Sequence, residues 1–160
     1  MKIGIISDSH DNLINMQKCV HYLNNIGVDF VFHCGDIISP FTIKVMNELK
    51  CDYRAVFGNN DGEWLNLKEI SKNRIFKPPY LFELDNKKFL LLHEGDIAMF
   101  IDNSIDFVFY GHTHVKYSFN KNGQLIVNPG TLAGYLADSA TFAILDTNEF
   151  NVEFIDVDTI

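Results

Sequence analysis

Five apolar runs in this 160-residue chain end abruptly in short polar side chains that can bind a cation. "KIGIIS" leads into Asp8-Ser9-His10, "DFVFHC" into Gly35-Asp36, and "YRAVF" into Gly58-Asn59-Asn60-Asp61. "KFLLL" leads into His93-Glu94-Gly95-Asp96, and "DFVFY" into Gly111-His112-Thr113-His114. Asp, Asn and His offer oxygen and imidazole nitrogen, a donor set that suits Mn²⁺, Zn²⁺, Fe or Ni²⁺ better than Ca²⁺ or a thiolate-held zinc. Asp8/His10 and His112/His114 are spaced i, i+2, which on an extended backbone throws both side chains to one side. A single ion takes about four protein ligands. Asp8, His10, Asp36, Asn59, His93, His112 and His114 therefore suffice for two ions sharing one carboxylate. Asp36 is the natural bridge, since a carboxylate has two oxygens. Any one of these histidines alone is more simply structural; their recurrence at strand ends is what argues for a metal site.

The elements that must position them follow from periodicity. A strand over 2–7 precedes a helix over 12–26, with Leu13, Met16, Val20 and Leu23 at helical spacing and Gly27 as its stop. Asp11 and Asn12 are expected to cap that helix. A strand over 29–33, a helix over 39–49 with Ser39 as N-cap and Pro40 at its first position, and a strand over 51–57 repeat the scheme. A third helix runs through "EWLNLKEI". Two strand–helix–strand passages predict a parallel sheet, with sites on the rim at the carboxyl ends of the strands. The second half reads as hairpins around Asp85-Asn86 and Asn122-Gly123 and a third within "TFAILDTNEFNVEFIDVD", hence as largely antiparallel. Two sheets packed face to face with helices outside accommodate both halves in a single domain, residues 1–160. Trp64 and the many phenylalanines read as core.

Composition excludes several classes. A formal charge of −8 with no Lys/Arg run argues against binding to a nucleic-acid duplex or to an anionic membrane. No apolar stretch is long enough to span a bilayer, and the first ten residues meet Asp8 too soon for a signal peptide. Cys19, Cys34 and Cys51 form no CxxC pair and read as free thiols of a cytoplasmic protein. A homodimer is left open.

Taken in order, DSH, GD, GNND, LLLH and GHTH resemble the signature of the calcineurin-like metallophosphoesterases, D-x-H, G-D, G-N-H-[DE], x-x-x-H and G-H-x-H. "NPGT" at 128–131 is similar to the N-P-G-S of small bacterial and archaeal phosphodiesterases of that family. The resemblance implies a four-layer αββα sandwich of two mixed β-sheets flanked by helices. It implies one metal held by Asp8, His10, Asp36 and His114, and another by Asp36, Asn59, His93 and His112, with Mn²⁺ the first candidate. Catalysis is expected to rest on Asp36, Asn59, Asn60 and His93. The implied reaction is hydrolysis of a small phosphodiester, nucleotide-like or a cyclic nucleotide, by in-line attack of a hydroxide bridging the ions. The alternatives are a phosphomonoesterase, or a non-catalytic scaffold like the retromer subunit of the same family.

The chain departs from the family pattern in three places. Asn60 stands where many members have a histidine; it can donate a hydrogen bond but delivers no proton at neutral pH. Gly95 replaces the second histidine of H-G-H. The segment Asp36-Ile37-Ile38-Ser39 lacks the second aspartate of the longer motif. His21 and His33 read as surface or packing residues, His33 with the option of bracing the site near Asp36. Asp61 reads as a turn carboxylate or as one that orients a ligand.

Overall fold

Alternation along the first strand decides the layering. In β1 (Lys2–Ile6), Ile3 and Ile5 enter one buried cluster while Ile6 enters another on the opposite face. The period of two therefore makes a strand buried on both sides. Gly4 lies under α1 (Leu13–Ile26), where an added Cβ would meet Leu23 at 3.0 Å, so its lack of a side chain lets the helix sit close. The structure, a computed structural model, describes all residues from Met1 to Ile160.

β2 (Phe30–His33), α2 (Pro40–Met46), β3 (Asp52–Val56), α3 (Trp64–Ile70) and β4 (Ile75–Phe76) continue the right half of the first sheet, with β1, β2, β3 and β4 mutually parallel. All three helices cover one face of it, through Met16, Cys19, Val20, Leu23, Ile43, Met46 and Leu67. Asn12 is the N-cap of α1, accepting from the Asn15 N–H, and Gly27 closes it at φ 64° with its N–H on the Leu23 carbonyl. Asp11 does not share the capping. Its Oδ1 accepts from the Ser39 N–H and hydroxyl and from the Thr42 hydroxyl, tying the end of β1 to the start of α2.

The second sheet is β5 (Tyr80–Leu84), β6 (Lys87–Leu91), β7 (Phe107–Phe109), β9 (Gln124–Asn128) and β8 (Tyr117–Lys121), in that spatial order. Its hairpins β5–β6 and β8–β9 are antiparallel as expected, but its centre is not: β6, β7 and β9 run parallel. The three-residue β7 is fully buried, and continuous apolar strands covered on both faces belong in parallel surroundings. The last hairpin, β10 (Thr141–Asp146) and β11 (Asn151–Asp156), joins the first sheet, β10 lying antiparallel to β1.

Between the sheets lie Phe32, Phe89, Phe107 and Phe109 with Ile3, Ile5, Leu91 and Val127. Leu90, Val108 and Ile126 face outward from the second sheet and are covered by Ala98, Ile101 and Ile105. Helices, sheet, sheet and this outer segment make the four layers, the last carrying only the 3-10 turn Ala98–Phe100. No helix is long and apolar enough to cross a membrane. Cys19 and Cys34 are buried, Cys51 is partly so, and none is paired.

Candidate metal centre

The seven side chains converge where β1, β2, β3, β6 and β7 end. Asp8 and His10 follow β1, Asp36 follows β2, Asn59 follows β3, His93 follows β6, and His112 and His114 follow β7. His10 Nε2 lies 3.3 Å from His114 Nε2, 3.8 Å from Asp8 Oδ1 and 3.6 Å from Asp36 Oδ2. His93 Nε2 lies 3.5 Å from the same Asp36 oxygen and 2.8 Å from Asn59 Oδ1, which is also 3.0 Å from His112 Nδ1. His114 Nε2 is 3.4 Å from Asp8 Oδ1.

The backbone does this differently from the expected extended pairs. Asp8 and His10 have φ of 51° and 40°, His112 and His114 of 67° and 60°, and Asp36 of 56°. Their side chains meet because these loops turn through the left-handed region, which Asp and His tolerate better than most residues. Strain of this kind persists only where the surroundings over-determine it. Here they do. The Asp8 and His10 N–H groups donate to the Gly35 and Asp36 carbonyls. The Thr131 hydroxyl and the Ala133 N–H both donate to the Asp8 carbonyl. Asn128 donates to the Gly111 carbonyl and the Thr113 hydroxyl, holding the His112–His114 loop.

Asp61 organises the β2 and β3 ends together. Its Oδ1 accepts from the Ile37 and Ile38 N–H groups at 2.8 and 2.7 Å, and its Oδ2 from Asp36 and Gly58 at 3.1 and 2.7 Å. Burial pushes its carboxyl up, helped by the nearby Asp36 charge and against the pull of the Gly58, Ile38 and Ile37 N–H groups. Gly58 matters for space. Its φ is not positive; a Cβ there would collide with the backbone and carboxylate of Asp36. Gly111 is demanded in the same way, by Ser7 and Asp8.

The donor set fits a cation. His93 Nδ1 lies 2.8 Å from the Cys34 carbonyl oxygen and His114 Nδ1 2.9 Å from that of Tyr135. A carbonyl can only accept, so each Nδ1 carries the hydrogen; in the neutral ring each Nε2 then turns a lone pair inward, and on His93 a proton at Nε2 makes the bond to Asp36. Those lone pairs meet other acceptors: Asn59 Oδ1, Asp36 Oδ2 and Asp8 Oδ1. Asp8 Oδ1 is buried and makes no hydrogen bond. Apart from the Asn60 amide on Asp36 Oδ2, these atoms face one another as acceptors, an arrangement that a proton or a metal ion between them relieves. Two triads lie close enough to hold one, Asp8/His10/His114 and Asp8/Asp36/His93. Asp8 Oδ2 already accepts from the His112 N–H, leaving Oδ1 as its free oxygen.

Charge responds to this crowding. Burial raises the Asp8 carboxyl. Burial also works to raise Asp36, but hydrogen bonds from His93 and from the backbone and side chain of Asn60 outweigh it and hold the group far below the usual carboxylate range. For His93 burial opposes the charged form, while Asp36 and the Cys34 carbonyl win and raise it.

Sequence reasoning left several groups unassigned. Asn128, Thr131 and Ser9 brace the loops; a polar residue closing the apolar run "QLIVN" was the signal for Asn128. His33 is wholly buried, with Nδ1 accepting from the Gly35 N–H and Nε2 3.0 Å from Ser9 Oγ. Trp64, expected in the core, is 45% exposed.

Comparison with known proteins agrees with this geometry. The family profile for the calcineurin-like phosphoesterase superfamily domain matches residues 1–149. The chain is 40% identical over 157 residues to the phosphodiesterase MJ0936 of Methanocaldococcus jannaschii, covering 93% of this chain and 95% of that one. The solved structure of an archaeal phosphodiesterase superposes with a TM-score of 0.89 at 37% identity, over 98% of this chain and 99% of the other. Zinc-complexed Vps29 of Entamoeba histolytica, 17% identical with a TM-score of 0.71 over 98% of this chain and 99% of its own, shares the fold. With a profile spanning nearly its whole length and a relative at this identity, the chain belongs to the calcineurin-like phosphoesterase superfamily.

Proposed function

We propose that the protein is a phosphodiesterase that uses two divalent ions, Mn²⁺ before Zn²⁺, Ni²⁺ or Fe, to hydrolyse small phosphodiesters. The observation that carries this reading is the position of Asp36 Oδ2, within 3.6 Å of His10 and 3.5 Å of His93 at the junction of the two ligand groups. Asp8, His10, Asp36 and His114 would hold one ion; Asp36, Asn59, His93 and His112 would hold the other. Asp8 enters both close triads, but Asp36 Oδ2 is the oxygen within 3.6 Å of a histidine from each ligand group, which favours Asp36 as the shared ligand. Such ions, when bound, supply Lewis acidity toward a phosphoryl oxygen and activation of water. The relationship to a phosphodiesterase at 40% identity supports the diester substrate.

The chain's own residues orient and fix charge. The Cys34 and Tyr135 carbonyls lock the tautomers of His93 and His114, as hydrogen-bonded ligands require. Asp61 holds the backbone N–H of Asp36, and Asn60 donates to both oxygens of its carboxylate. Asn60, exposed at the rim, is the amide that would donate to a phosphoryl or leaving oxygen. Free thiols support the cytoplasm as its compartment.

The experiment is hydrolysis of bis-p-nitrophenyl phosphate and p-nitrophenyl phosphate by protein loaded with each metal. Asp36→Ala and His112→Ala should each reduce diester turnover by at least about 100-fold, in line with loss of a ligand beyond its hydrogen-bonded support. Unchanged turnover would remove the catalytic assignment, and faster monoester hydrolysis would move the reading to a phosphomonoesterase.

A further inference from the structure

A cleft of about 470 Å³ opens directly beside Asn59 and His93, walled by Phe57, Trp64 and Ile97. Trp64 is fixed in it by two contacts. One face of its ring stacks on Phe57, centroids 4.9 Å apart and planes within 15°, and its indole N–H donates to the Asp61 carbonyl at 2.5 Å. Phe57 is buried while Trp64 stays 45% exposed. A tryptophan held this way keeps an aromatic surface in water without the entropy loss of ordering it on binding. Phe57 continues through Gly58 into Asn59, and Asp61 links the indole to the loop of Asp36. The aromatic wall and the metal-ligating loop are therefore one rigid piece.

The polar lining is selective. Glu94 and Asp96 supply carboxylates, and Lys77 is the one ammonium. Two carboxylates against one cation make a poor site for additional phosphate, but a good one for N–H donors on the edge of a planar ring. Aromatic stacking with hydrogen bonds to a base edge is how proteins read unpaired nucleobases.

We infer that this cleft is a nucleobase subsite: Trp64 stacks on the base of a nucleoside phosphodiester, and Glu94 and Asp96 accept from its exocyclic amine. This deepens the phosphodiesterase reading and rests on it for the placement of the phosphate. It names the substrate class as diesters of adenine, guanine or cytosine nucleosides.

The test exploits a property of the sequence. Trp64 is the chain's only tryptophan, so emission excited beyond the absorption of its tyrosines reports this position alone. Metal-loaded protein is titrated with adenosine 5′-monophosphate, uridine 5′-monophosphate and ribose 5-phosphate. The adenine nucleotide should quench emission saturably, the uridine nucleotide should bind more weakly, and ribose 5-phosphate should leave emission unchanged. As competitive inhibitors of aryl diester hydrolysis, adenosine 5′-monophosphate should lose about 10-fold in affinity on Trp64→Leu while ribose 5-phosphate does not, and Trp64→Tyr should restore it. Equal binding of all three ligands, or equal effects of Trp64→Leu on both inhibitors, overturns the subsite even if diesters are hydrolysed. Adenine-specific quenching in a protein that hydrolyses no diester would uphold the subsite and sink the catalytic reading instead.

Discussion

Asn60 grips both oxygens of Asp36: its backbone N–H donates to Oδ1 at 2.9 Å and its side-chain amide to Oδ2 at 2.7 Å. Oδ2 is also the oxygen that faces His10 and His93. The Asn60 side chain thus controls the orientation of the proposed shared ligand. Asn60→Ala keeps the backbone bond and loses the amide, so metal-free protein should lose about 1 kcal/mol, modest because the residue is exposed. Divalent affinity measured by titration calorimetry should weaken by about 10-fold. Tightening instead would show that amide and ion compete for Oδ2.

Asn60→His tests the proposed second role of that position. An imidazolium can protonate a leaving oxygen where an amide cannot, help worth up to ~10²–10⁴-fold. The gain should grow as the leaving group becomes more basic, giving a shallower dependence of rate on leaving-group pKa. A uniform change across leaving groups would place position 60 away from the departing oxygen.

Asp61→Ala should be among the more damaging single changes outside the ligands. It strips the side-chain partner from the N–H groups of Asp36, Ile37, Ile38 and Gly58 at once. Each unsatisfied buried donor costs about 1–3 kcal/mol, so a loss of at least ~3 kcal/mol is expected from urea unfolding. A cost below ~1 kcal/mol would mean that these loops hold their shape without it.

His33 predicts an acid-sensitive fold. Burial depresses its pKa from 6.5 to about 3, and a protonated ring would point a hydrogen at the Gly35 N–H. Below pH 6.5 the unfolded chain takes up a proton that the folded one refuses, so this stabilisation is complete above 6.5 and is lost as pH falls toward 3. Between pH 6.5 and 4.5, wild-type metal-free protein should lose on the order of 2–3 kcal/mol more than His33→Gln. Parallel pH profiles for the two proteins would show that His33 titrates normally.

Every strand except the two-residue β4, the helix caps at Asn12, Ser39 and Gly27, and the ordered set from Asp8 to His114 were legible in the chain, because periodicity, capping and residue chemistry are local properties. The sequence alone missed the parallel centre of the second sheet, since hairpins announce themselves through their turns and a buried three-residue strand such as β7 does not. How the ligands meet depends on the folded chain: through left-handed loop residues braced by distant partners, His112 by Asp8, 104 positions away, and Asp8 by Thr131, 123 positions away, rather than through extended pairs. The tertiary structure also separated residues that look alike in the chain. Gly58 is a glycine because Asp36 presses against it, and Trp64 is an exposed wall because Phe57 and the Asp61 carbonyl hold it there. Close approach and one-sided exposure depend on what packs alongside, and no local pattern records them.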